Sequence, residues 1–123
     1  MTKILIVEDE RAIADLIEGL LEDEGYTVTT AVNGREGLAR VAEERPDVVL
    51  TDVMMPIMDG ITMCGMLQAE PAFQAIPIIL MTVGRDLDTT QCHYAVLVRK
   101  PFGLDVLLDT IAQVVEQGRA SVE

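Results

Sequence analysis

Basic charge is what this sequence has least of. Nine Lys and Arg stand against 21 Asp and Glu, a formal net charge of −12, and only two of the nine, Lys3 and Lys100, are lysines. A surface that grips a phosphate backbone needs clustered cations, so this balance disfavours direct binding to nucleic acid, and none is expected. Long apolar runs are also missing. The N-terminus "MTKILIVEDE" carries four apolar residues before acids intervene, too few for a signal peptide or a membrane span, and a cytoplasmic location is expected. No Ser-, Gly- or Pro-rich tract marks a linker. The two cysteines, Cys64 and Cys92, have no metal-type spacing and read as small buried or half-buried hydrophobes, not as a disulfide or redox pair. At 123 residues the chain has room for one well-buried core. A single domain over 1–123 is expected, with residues 119–123 leaving no space for an output domain.

Four short apolar runs are present: "ILIV" at 4–7, "VVL" at 48–50, "IIL" at 78–80 and "AVLV" at 95–98. Continuous β-branched runs of this length predict strands buried on both faces, as in a parallel sheet. A fifth, "TVTTAV" at 27–32, mixes polar with apolar residues and suits an edge. Ile13, Leu16, Ile17, Leu20 and Leu21 form a helical stripe closed by Gly25, and Leu104, Leu107, Leu108, Ile111, Val114 and Val115 form another, stopped by Gly118. Residues 34–44 and 60–69 also read as helical, while 86–93 is ambiguous. Alternating strands and helices predict right-handed crossovers and a doubly wound α/β sandwich.

Each buried run ends on a polar residue. Glu8 and Asp9 follow the first, Asp52 the 48–50 run, Thr82 the 78–80 run and Lys100 the last. Open parallel sheets bind ligands outside the carboxyl ends of their strands, so these groups converge on one edge. Any one of them has an ordinary structural reading: an acidic pair caps a helix, a strand-end Thr packs, a lone Lys snorkels. Their coincidence on one edge favours a functional reading. Three carboxylates crowded together repel each other, and a hard divalent cation such as Mg²⁺ relieves this. Lys3 precedes its strand and belongs to the opposite edge, so Lys100 is the one lysine available to the acids. An acyl phosphate formed on Asp52 would be stabilised by the metal, the Lys100 ammonium and the Thr82 hydroxyl.

These motifs resemble the receiver domain of bacterial two-component response regulators, over essentially the whole chain. "ILIVEDE" is similar to the acidic-pair strand, "RPDVVLTDVMMPIMDG" to the phosphoacceptor segment, "IPIILMT" to the switch-threonine strand and "RKPF" to the lysine-proline ending. The resemblance implies a CheY-like, flavodoxin-like (βα)5 fold with strand order 2-1-3-4-5. It implies that Asp52 accepts a phosphoryl group from a histidine kinase or a histidine phosphotransfer protein, with Mg²⁺ held by Asp9, Asp52 and the backbone carbonyl of Met54, and by Glu8 mainly through water. Thr82 and Lys100 would bind the phosphoryl oxygens, and a cis Lys100-Pro101 bond would aim the lysine. Pro56 and Gly60 would shape the loop after Asp52. Met54 and Gly84 would tune the lifetime of the acyl phosphate. The implied role is a signalling phosphoacceptor, not an enzyme beyond self-phosphorylation and self-dephosphorylation. Its phosphorylated form would act on a downstream effector protein, with a weak dimer through the family's fourth helix, last strand and final helix.

The sequence departs from the pattern after Thr82. Lys100 follows 18 positions later, about one helical turn short, which predicts a fourth helix that is short, distorted or absent. Val83 replaces a small residue beside the site. Leu97 stands where the family carries a switch aromatic, and Tyr94, an odd three positions earlier, cannot take its place along a strand. Readout through reordering of 83–94 is therefore expected in place of a rotating aromatic. The lone His93 reads as a surface or packing residue. Two rivals stand beside the leading reading: a pseudo-receiver that binds without phosphorylation, for which Val83 and the altered 83–98 region argue, and a haloacid dehalogenase-type phosphohydrolase. The latter carries a second Asp two positions after its nucleophile, where this chain has Met54.

Overall fold

The structure is a computed structural model that describes residues 1–84 and 87–122. In chain order the elements are β1 (Lys3–Val7), α1 (Arg11–Asp23), β2 (Thr27–Ala31), α2 (Gly34–Glu44), β3 (Val48–Asp52), α3 (Gly60–Gln68), β4 (Ile78–Thr82), β5 (Val96–Arg99) and α4 (Leu104–Val122). The strands form one sheet in the order β2-β1-β3-β4-β5, every neighbour parallel. β3 and β4 are buried throughout, whereas β2, at the edge, is half-buried along most of its length. Hydrophobic burial explains the arrangement: a strand that is apolar on both faces is stable only with a helix layer on each side.

Pleating sorts the side chains into two cores. Ile4, Ile6, Val48, Leu50, Ile79, Met81 and Val98 face α1 and α4, packing on Ile17, Leu21, Leu107, Ile111 and Val114. Leu5, Val7, Val49, Ile78, Leu80 and the half-buried Leu97 face α2 and α3, packing on Val41, Met63, Cys64 and Leu67. Each fully buried aliphatic side chain contributes roughly 2 kcal/mol. The N-termini of α2 and α3 are capped: the Asn33 carboxamide oxygen accepts from the Glu36 N–H at 2.8 Å, and the Asp59 carboxylate accepts from the Thr62 N–H at 2.7 Å, whereas α1, which starts just after Glu8 and Asp9, has no side-chain cap.

The structure corrects the helix readings in two places. The buried face of α1 is Ala14, Ile17 and Leu21, while Leu16 is 54% exposed. α4 does not stop at Gly118 but runs on to Val122, because one glycine costs only about 1 kcal/mol and the apolar stripe before it anchors the helix. Glu123 lies outside the described residues.

Between β4 and β5 no helix is present among the described residues. The fourth helix of the family pattern is absent there, and the dimer face built on it lacks one of its three elements. Of the expected switch segment, Arg85 and Asp86 lie outside the described residues. The rest is coil with a turn in which the Cys92 N–H donates to the Thr89 carbonyl at 3.0 Å. Tyr94 lies in the coil before β5 and is exposed, so it takes no strand position from which to stand in for Leu97. The reading of the cysteines as unpaired hydrophobes is overturned: both are buried, and they are joined as a disulfide.

Candidate functional site

β1 leads outward to β2 on one side and β3 lies on the other, so the strand order reverses between β1 and β3. Helices leave this point toward opposite faces, and the carboxyl ends of the strands there are where open parallel sheets bind ligands. Glu8 and Asp9 follow β1 and Asp52 ends β3, and each offers a carboxylate oxygen within 4.8 Å of the others. Glu8 is 1% and Asp52 8% exposed, while Asp9 stands open to solvent. From the far side Lys100 reaches in, its Nζ 3.1 Å from Glu8 Oε1 and 3.4 Å from Asp52 Oδ2. The peptide bond after it, Lys100-Pro101, is cis. Lys3 lies at the opposite edge, its Nζ donating to the Glu44 carbonyl at 3.4 Å.

Thr82, fully buried at the end of β4, sits one register position beyond the Met81 partner of Asp52. Its hydroxyl accepts from the Gly84 N–H at 2.9 Å, which leaves its own proton to donate. Val83 is 71% exposed at the mouth of the site, and Met54 is also exposed. Arg99, which the sequence does not single out, donates to the Gly84 carbonyl at 2.8 Å and holds the strand exit in place.

The loop from Val53 to Asp59 turns tightly. The Met58 N–H donates to the Pro56 carbonyl at 2.7 Å across Ile57, whose φ is +71°. A β-branched residue there is strained, and such strain survives only where surrounding structure imposes it. The Gly60 N–H closes the loop on the Val53 carbonyl at 2.9 Å. A Cβ on Gly60 would collide with the Asp52 carbonyl oxygen and stand 3.1 Å from Thr51 Oγ1. Because the obstacle is backbone, Gly60→Ala is expected to lose about 2 kcal/mol of stability; a urea titration matching the parent would contradict this.

The charges set the electrostatics of the pocket. Burial pushes the Glu8 carboxyl above its ordinary 4.5, outweighing the Glu10 N–H and the Lys100 ammonium, which pull it down. Burial alone would lower the Lys100 ammonium, but Glu8 and Asp52 together hold it above 10.5. With divalent cations chelated, the folded chain keeps a proton on Glu8 in a window above 4.5 where the unfolded chain does not. Stability therefore falls as pH rises through that window and then levels. The Lys100 contribution is present up to about 10.5 and is lost as pH rises beyond the raised value. Lys100→Met strands Glu8 without its cation, at an expected cost of about 2 kcal/mol near neutral pH. Acidification should shrink that cost by protonating Glu8, so a cost independent of pH in denaturant titrations would count against this account.

The fold and this edge define a class: a doubly wound parallel sheet whose switch point gathers an acidic triad, a lysine and a buried threonine. The model of the response regulator receiver domain matches residues 4–112, and the chain belongs to that family. It is 45% identical over 80 residues to the response regulator PleD of Caulobacter vibrioides, a match covering 65% of this chain and 18% of that protein, so it spans a minor part of that relative. Among solved structures, the signal receiver domain of a signal transduction histidine kinase from Syntrophus aciditrophicus is 33% identical, with a TM-score of 0.88 over 95% of this chain and 92% of that one. The receiver domain of a sensor histidine kinase from Pseudomonas aeruginosa is 25% identical, with a TM-score of 0.86 over 94% of this chain and 98% of that one. That protein is described with a magnesium ion coordinated in the active-site cleft.

Proposed function

We propose that this chain is a single receiver domain over 1–123 whose Asp52 accepts a phosphoryl group from a histidine kinase or a histidine phosphotransfer protein. One observation carries the reading: Asp52 is a nearly buried carboxylate held against the one lysine of that edge and within ligand distance of two further acids. A carboxylate oxygen of Asp52 forms the new bond to phosphorus as the phosphorus–nitrogen bond of the donor breaks, and the imidazole leaves with its electron pair. Lys100 follows the incoming charge, exchanging part of its contact with Asp52 for a phosphoryl oxygen. Thr82 donates its hydroxyl proton to another, its lone pair already engaged by the Gly84 N–H. Val83 and Met54, both exposed, and Gly84 border the approach of water that ends the state. The carboxylates of Glu8, Asp9 and Asp52 lie close enough together to hold one Mg²⁺ ion; Asp9, Asp52 and the Met54 carbonyl would hold it directly and Glu8 through water, and the ion would supply, with Lys100, the positive charge that offsets the acids and the phosphoryl oxygens.

The phosphorylated chain then signals to an effector protein. A cytoplasmic place fits both that role and the absence, among the described residues, of any helix long and apolar enough to cross a membrane. Mass spectrometry after incubation with Mg²⁺ and acetyl phosphate tests the proposal. One phosphoryl group should be gained; no gain, with a competent kinase failing as well, would sink it.

A further inference from the structure

Three contacts, none needed for phosphoryl chemistry, tie the β4–β5 connection to α3. Cys64 on α3 and Cys92 in the connection are disulfide-bonded, 28 residues apart in sequence and 5.4 Å apart at Cα. Gln68, one turn further along α3, donates from Nε2 to the His93 carbonyl at 2.7 Å and accepts from the His93 N–H at 2.8 Å. Gly65 admits the Gln91 carbonyl so closely that a Cβ would stand 2.9 Å from it. One flank of α3 thus holds three consecutive residues, Gln91, Cys92 and His93, and the disulfide is the covalent member of the clamp. Two of the three, Gln91 and His93, are exposed, so hydrophobic burial beyond Cys92 does little to hold this part of the connection in place.

The clamp leads physically to the site. Leu87 packs on the cluster that contains both cysteines and lies against Gly84, whose N–H fixes the Thr82 hydroxyl. A disulfide and a dithiol are two discrete states, which is what coupling between distant groups requires.

We propose that Cys64 and Cys92 form a thiol–disulfide exchange site that switches the β4–β5 connection between clamped and released states, and with it the lifetime of the phosphoryl group on Asp52. The reductant is a small or protein dithiol. One of its thiolates attacks Cys92 Sγ, the sulfur on the coil side, the Cys64–Cys92 bond breaks, and Cys64 leaves as a thiolate that takes a proton. The second thiol of the reductant then displaces Cys92 from the mixed disulfide. Two electrons pass to the protein, and the reductant ends as a disulfide. Cys64 is enclosed on α3 and Cys92 is 4% exposed, so attack follows a local opening of the coil.

The clamp itself stands without the phosphoacceptor reading, while its effect on lifetime rests on it. The whole chain is equilibrated with reduced or oxidised dithiothreitol, scored for alkylated thiols, and compared by amide hydrogen exchange. The dithiol form should exchange at least about tenfold faster over residues 87–95, with the strands β1 and β3 unchanged. Cys92→Ser should exchange like the dithiol form under both conditions. Equal exchange of the parent in both states, or thiols that stay alkylatable under the oxidant, overturns the clamp. After loading with acetyl phosphate, the two states should differ in phosphoryl half-life by at least about threefold, since loosening Gly84 and Thr82 alters contacts that bear on the barrier. Equal half-lives overturn the coupling. A chain that gains no phosphoryl group in either state overturns the phosphoacceptor reading and the lifetime effect with it, while the exchange data still decide the clamp.

Discussion

Asp52→Asn should gain no phosphoryl group from acetyl phosphate or from a phosphorylated kinase, a loss of at least about a thousandfold in rate, or 4 kcal/mol of barrier. The substitution keeps the shape of the side chain and removes its charge, and an amide oxygen is a poor nucleophile. No neighbour can substitute. Glu8 is fixed by Lys100 on one oxygen and by the Glu10 N–H at 3.1 Å on the other, and Asp9 faces solvent instead of sharing the buried contact with Lys100. The fold should survive, because Asp52 opposes ionisation of Glu8 and its loss leaves Lys100 to Glu8 alone. A stability equal to the parent, or higher by about 1 kcal/mol, separates lost chemistry from lost structure. Phosphoryl uptake persisting in a folded Asn variant would move the acceptor elsewhere.

The acids, the lysine and the threonine were legible in the sequence for a physical reason. Strands buried on both faces are written as continuous apolar runs, so the residue that ends each run is marked, and a parallel sheet sends all those ends to one edge. The missing helix was legible as arithmetic, from the 18 positions between Thr82 and Lys100. The odd offset of Tyr94 from Leu97 ruled it out as a replacement on the strand, and it sits in the coil before β5. The face of α1 was less legible, since Leu16 and Ala14 both fit a helical stripe. The structure favours Ala14, the small residue that can sit closest to the sheet.

The clamp was not legible at all. Whether two cysteines pair depends on a Cα approach that residues 28 apart do not reveal by spacing, and an expected cytoplasmic location argued the wrong way. Gln68 and Gly65 gave no signal either, because both act on backbone atoms of a coil whose course the sequence does not specify. Contacts between a helix and an irregular segment leave no periodicity to read.

Replacing both cysteines by alanine should lower the stability of the oxidised chain by about 4 kcal/mol, and reduction of the parent should account for most of that. The argument is chain entropy: a bond closing 28 residues restricts the unfolded chain by about 3.5 kcal/mol in the loop-closure model. The packing part is smaller. Both sulfurs lie in the core with Met63 and Leu67, and trimming them to methyl groups removes about 1 kcal/mol of buried contact at most. A domain of this size keeps roughly 5–15 kcal/mol in all, so the variant should stay folded while its midpoint in urea falls clearly. The difference between the reduced parent and the double variant isolates the packing share. A total loss under about 1 kcal/mol would mean that the unfolded chain already holds these segments together, and would remove the energetic basis of the clamp.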